Sequence, residues 1–103
     1  MTARYALLPE AEADLREVIR YTRKQWGDAQ ARTYLAKLKH RIERVVLGQG
    51  FAKDLTAIYP DLRMVHCEHH YIFCLPRADE PALVVAIFHE QMDLMTRVAD
   101  RLR

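Results

Sequence analysis

Apolar residues recur at steps of three and four through the first half of the chain and in short unbroken runs through the second. The rhythm therefore changes from helical to extended near the middle. Ala11, Leu15, Val18, Ile19, Thr22 and Trp26 share one face of a helix that the spacing predicts from Pro9 to about Trp26. Ala31, Leu35, Leu38, Ile42, Val45 and Val46 form a matching stripe on a second helix ending near Leu47. Residues 3–8 fit a short opening strand. Leu62 to Cys67 and His70 to Leu75 fit a β-hairpin turning about Glu68-His69, and Ala82 to His89 is a nearly continuous apolar run suited to a strand inside a sheet. Asp93 to Leu102 fits a final short helix with Leu94, Met95, Val98 and Leu102 on one side.

The punctuation between these runs agrees with them. Pro9 has the fixed φ that the first helical turn tolerates, and Glu10, Glu12 and Asp14 complement the dipole there. Gly27 predicts a left-handed stop, and Asp28 predicts an N-cap for the next helix, so the two helices are antiparallel neighbours. Gly48 and Gly50 break the second helix, with Lys53 in the irregular segment beyond, and Tyr59-Pro60-Asp61 marks a turn. The expected fold is α+β in a single domain, 1–103: an N-terminal strand, a helical hairpin, a three-stranded antiparallel sheet and a short C-terminal helix, with one helical layer on one sheet.

Composition narrows the setting. At 50% hydrophobic and 29% charged residues the chain has the balance of a soluble globule, and no apolar run approaches the ~20 residues of a membrane span. Met1-Thr2-Ala3-Arg4 leads straight into the first strand, which argues against a signal peptide. Two cysteines, Cys67 and Cys74, without Cys-x-x-Cys spacing fit a reducing cytoplasm, as small apolar fillers rather than nucleophiles. The net charge of +2 is a weak argument for nucleic acid. Its distribution says more: Lys37, Lys39, Arg41 and Arg44 cluster late in the second helix around His40, as a solvated face or a surface for an anionic partner.

Several phrases in register carry a resemblance: Pro9-Glu10-Ala11 leading to Asp14-Leu15, Tyr21 before Gln25-Trp26-Gly27, Leu62-Arg63, His70-Tyr71-Ile72-Phe73, and Ile87-Phe88-His89 followed by Met92-Asp93. With the order of elements, they make the chain resemble the ParE branch of the RelE/ParE toxin superfamily. The resemblance implies a helical hairpin packed on a small antiparallel sheet. It also implies one of two activities: poisoning of DNA gyrase, as in ParE-like members, or ribosome-dependent cleavage of messenger RNA, as in RelE-like members.

Metal-free RNA cleavage needs a group to take the 2′-hydroxyl proton, a group to protonate the leaving oxygen, and cations around the phosphorane. Arg63, Lys53 and His89 are the candidates, but Ala82 to His89 contains no arginine and no tyrosine follows Tyr71. The resemblance gives His89 a structural part instead, hydrogen-bonding where the last strand meets the final helix. In His66-Cys67-Glu68-His69-His70, alternation along a strand keeps neighbours such as His69 and His70 from sharing one metal ion, and leaves Cys67 and His69, with Cys74 or His89, as the set that could; a polar, partly exposed hairpin is the preferred reading. No metal and no cofactor are expected. Trp26 is in register with the apolar stripe, with Tyr21 beside it, and both are expected in the core.

The preferred expectation is accordingly a toxin with no catalytic residues that inhibits DNA gyrase. Its candidate contacts with target or antitoxin are Arg63, His89, Leu94, Met95, Arg97, Val98 and Arg101. The implied partner is a small DNA-binding, ParD-like antitoxin with a tail that folds across the toxin. Nucleic acid is met only through antitoxin or gyrase, and no membrane is involved. The alternatives are the RelE-like endonuclease and a non-toxic interaction module of the same fold.

Overall fold

The computed structural model describes residues 5–103, so positions 3 and 4 of the expected first strand lie outside the described residues. The elements are β1 (Tyr5–Leu7), α1 (Pro9–Trp26), α2 (Asp28–Val46), β2 (Lys53–Asp54), β3 (Arg63–Cys67), β4 (His70–Leu75), β5 (Ala82–His89) and α3 (Leu94–Arg101). The strands form one sheet in the order β1-β5-β4-β3-β2, antiparallel except that β1 runs parallel to β5. Lys53, expected in an irregular segment, belongs to the two-residue strand β2 on the edge of β3.

A single residue joins α1 to α2. Gly27 has φ +92, which an L side chain would resist, and its N–H donates to Arg23 O at 2.9 Å. Asp28 does not cap α2; its carboxylate pairs with Arg23 Nε at 2.9 Å across the corner. The antiparallel hairpin then lays Ala11, Val18, Leu38, Ile42 and Val45 on Val65, Ile72, Val84 and Ile87.

The other face of the sheet is covered too, which corrects the expectation of one helical layer. Leu62, Phe73, Val85, Ala86 and Phe88 are buried there beneath Val98 of α3 and Leu55 of the β2–β3 connection. Burial on both faces is why β5 reads as an unbroken apolar run rather than an alternating one. A β-bulge shifts the alternation of β5 between the two cores. Phe73 pairs with Ala86 but Cys74 pairs with Val84, so Val85 is the extra residue, and Val85 and Ala86 both join the second core.

Candidate functional site

A groove runs between the helical hairpin and the end of the sheet that carries the β3–β4 turn. One hollow of 540 Å³ lies against Trp26, Gln30, Tyr34 and Lys37, and a second of 380 Å³ against Asp14, Glu17, Ile87 and Met92. Tyr21, His70, His89 and Gln91 line both hollows, so the two adjoin.

The helical wall is aromatic because α1 outruns the sheet. Thr22 is the last buried residue of its stripe, its hydroxyl donating to Val18 O at 2.8 Å. One turn later Trp26 is 71% exposed, and Tyr21 is 61% exposed, against the expectation that both are core. The hollow beside Trp26 is lined by Glu68, His69 and Glu90 of the turns and by the strand-end residues His70 and His89, with no apolar strand residue among them. Helical periodicity cannot reveal where a sheet stops.

On the sheet wall, β4 and β5 place His70 opposite His89, with ring centroids 5.3 Å apart and edge to face. The Tyr34 oxygen accepts the His69 N–H at 3.1 Å and lies 2.6 Å from His70 Nδ1. A phenolic hydrogen donated to His70 Nδ1, with the imidazole proton on Nε2, is an assignment consistent with this network. Burial, then the neighbouring His89 and His69, push the His70 pKa down to about 4, with Glu90 acting the other way. His70 is thus neutral at pH 7. His89 Nδ1 accepts the Gln91 N–H at 3.1 Å, and His89 O accepts the Met92 N–H at 3.0 Å, so this residue organises the turn between β5 and α3.

Glu90 sits between two imidazoles, with His69 Nδ1 at 3.2 Å and His66 Nε2 at 3.5 Å. The hydrogen bond from His69, seconded by His66, holds its carboxyl below the usual range. Cys67 does not join them: its thiol donates toward Lys37 O at 3.7 Å, and burial pushes its pKa up. Cys74 is pushed up to about 11, also by burial. Among the described residues no three His, Cys, Asp or Glu side chains are arranged to hold a metal ion.

Arg63 and Lys53 lie at the far corner of the sheet, where Arg63 shares a 240 Å³ hollow with Asp54, Thr56 and Asp61. Arg63 is level with Cys74 and Val84, and His89 lies five residues further along β5 and two strands across. Strand geometry puts them roughly 19 Å apart. In α3, Val98 is fully buried and Leu94 and Leu102 pack on the second core, whereas Met95 and Arg97 face solvent. Arg101 is turned inward onto Asp14.

Against this geometry, a family profile described as "ParE toxin of type II toxin-antitoxin system, parDE" matches residues 5–94. Toxin ParE of Escherichia coli is 65% identical over 103 residues, covering 100% of this chain and 99% of that one. The chain belongs to the ParE toxin family. Toxin ParE1 of Mycobacterium tuberculosis is 32% identical over 94 residues, covering 91% of this chain and 96% of its own length. A solved structure described as the chromosomal ParDE TA system from P. aeruginosa superimposes with a TM-score of 0.66 at 14% identity, over 85% of this chain and 96% of that one, and so shares the fold.

The span matched to the ParE family takes in the whole groove, including Tyr21, Trp26, His70 and His89, and stops at the first residue of α3. Tyr21, Trp26 and Tyr34 as groove residues, and Asp14 as the partner of Arg101, were hidden from sequence reasoning. The one available signal was that Tyr21 and Trp26, five residues apart, lie about 140° apart around a helix and cannot both point into one narrow core stripe.

Proposed function

We propose that this ParE-family toxin acts by binding and not by cutting: it inhibits DNA gyrase, stops replication, and is neutralised in the cytoplasm by a cognate, small, DNA-binding ParD-like antitoxin. The observation that carries the reading is the separation of Arg63 and Lys53 from His89. A cleavage centre needs its base, acid and cations within reach of one phosphate, a few ångströms across, and roughly 19 Å of sheet lies between these candidates.

The groove supports a protein partner. Tyr21 and Trp26 are large, exposed and held on a rigid helix, and Met92 adds apolar surface beside them. Such anchors are what an amphipathic antitoxin tail would cover, with His89 at the centre. Arg63, Met95 and Arg97, all facing solvent, are the contacts left for gyrase. Leu94, Val98 and Arg101 serve the same surface from within by fixing α3.

The test is pulse labelling after induction of the toxin alone, with supercoiling by purified gyrase measured in parallel. DNA synthesis is expected to fall before protein synthesis, and supercoiling to be inhibited. Early loss of protein synthesis with cleaved messenger RNA would overturn the reading, as would unimpaired growth.

A further inference from the structure

We propose that the outer face of α2 contacts the backbone of duplex DNA, so that the toxin bears directly on the DNA held by its target; this rests on the gyrase reading. The chain's positive charge is concentrated there. Helix α1 carries four cations and four carboxylates, whereas α2 carries five cations, Arg32, Lys37, Lys39, Arg41 and Arg44, against Asp28 and Glu43. Two of the five are occupied within the fold: Lys37 pairs with Glu68 at 3.2 Å, and Arg41 donates to Phe51 O and His66 O. Arg32, Lys39 and Arg44 are exposed, and among the described residues none has a carboxylate in ion-pair reach. The carboxylates of α2 do not cancel them. Asp28 is taken by Arg23, and Glu43 is half-buried near enough to Tyr5 to bear on its hydroxyl.

Helical geometry sets Arg32 and Lys39 on one flank of this face and Arg44, with His40, on the other, over a length of about 18 Å. A major groove about 12 Å wide admits a helix, and cations on both flanks then reach phosphates of both strands. The residues along the midline are Ala29, Thr33 and Ala36, which offer a protein partner none of the bulky anchors that dominate protein interfaces. The aromatic groove has those anchors without unpaired cations on its lining, and the two surfaces therefore suit different partners. Phosphate contacts need charge alone.

The experiment is fluorescence anisotropy of a labelled 20-base-pair duplex with the full chain between 50 and 200 mM salt, alongside gyrase supercoiling. Three phosphate contacts predict weak binding that falls about 40-fold over that range. Arg32→Gln, Lys39→Gln and Arg44→Gln together should abolish the salt dependence and weaken gyrase inhibition at least tenfold, with the helical circular dichroism retained. Ala36→Glu, which keeps every cation, should weaken both duplex binding and gyrase inhibition by placing a carboxylate at the centre of the face. DNA binding or gyrase inhibition that both variants leave unchanged would overturn the proposal, and so would salt-sensitive binding to polyglutamate with none to the duplex. If the unmodified chain fails to inhibit gyrase, the target reading falls, while anisotropy still judges the DNA contact.

Discussion

Asp14 and Arg101, 87 residues apart, form a two-pronged ion pair across the open edge of β5, with Arg101 Nη1 at 2.5 Å and Nη2 at 3.3 Å from the two carboxylate oxygens. Each also completes the backbone. Asp14 accepts the Ile87 N–H at 3.0 Å, and Arg101 donates to Val85 O at 3.1 Å, the residue turned out by the bulge. The guanidinium also lies over the Phe88 ring, 4.8 Å from its centre. Because β1 covers only Ala82 to Val84, this pair stands where a longer neighbouring strand would otherwise be needed.

Removing one partner alone leaves a charge and a backbone group unpaired at sites only 17% and 18% exposed. Asp14→Ala or Arg101→Ala should each cost about 3 kcal/mol in urea unfolding. Asp14→Leu combined with Arg101→Met should cost less than the sum of the corresponding single changes; simple additivity would refute the coupling.

The β3–β4 turn holds Glu68 at φ +55, a conformation that an L side chain resists. Both Glu68→Ala and Glu68→Gly lose the exposed pair with Lys37, so the difference between them isolates the backbone. Glycine should be the more stable by about 1 kcal/mol, the reverse of the usual order in regular structure. Equal unfolding midpoints would mean that the turn carries no such strain.

His70 gives the fold a dependence on pH. Its folded pKa of about 4 lies below the unfolded value of about 6.5, so the unfolded chain takes up the proton first. The contribution of neutral His70 is complete above pH ~6.5, declines as pH falls toward ~4, and does not change further below that. Glu90, whose pKa is lowered on folding, acts in a different window, losing its contribution as pH falls below the ordinary carboxylate range. Urea midpoints between pH 7.5 and 4.5 should therefore fall more steeply for the parent chain than for His70→Gln. Parallel curves would show that His70 is not the group responsible.

Trp26→Ala should leave stability within about 0.5 kcal/mol, because the ring is mostly in solvent, yet weaken capture by the antitoxin at least tenfold. Calorimetry of the toxin–antitoxin pair reads both quantities. Marked destabilisation with unchanged affinity would return Trp26 to the core.

Much of this fold was legible in the residues. Pro9, Gly27 and the two apolar stripes define the hairpin, and Ala82 to His89 is placed inside the sheet by its lack of alternation. The missing parts depend on where elements end in space. Trp26 continues a stripe in perfect helical step, but the sheet beneath it has ended. Leu94, Val98 and Leu102 read as an available face because the bare underside of the sheet, which they cover, has no signature in α3 itself. Arg101 looks like a surface cation until Asp14 is seen opposite it, and a contact across 87 residues leaves no local trace. Arg63 opens β3 and His89 closes β5, so the pairing of β3, β4 and β5 carries them to opposite ends of the sheet.

The pairing of Tyr5 to Leu7 with Ala82 to Val84 also has a meaning for how the molecule comes into being. Strand β1 waits for β5, far behind it in the chain, because among the described residues β5 is both its neighbour in the sheet and its bridge to β4. Until residue 82 is made, Tyr5 to Leu7 have no strand to pair with. The groove is therefore completed only once β5 has been made, because His89 and Gln91 line both of its hollows.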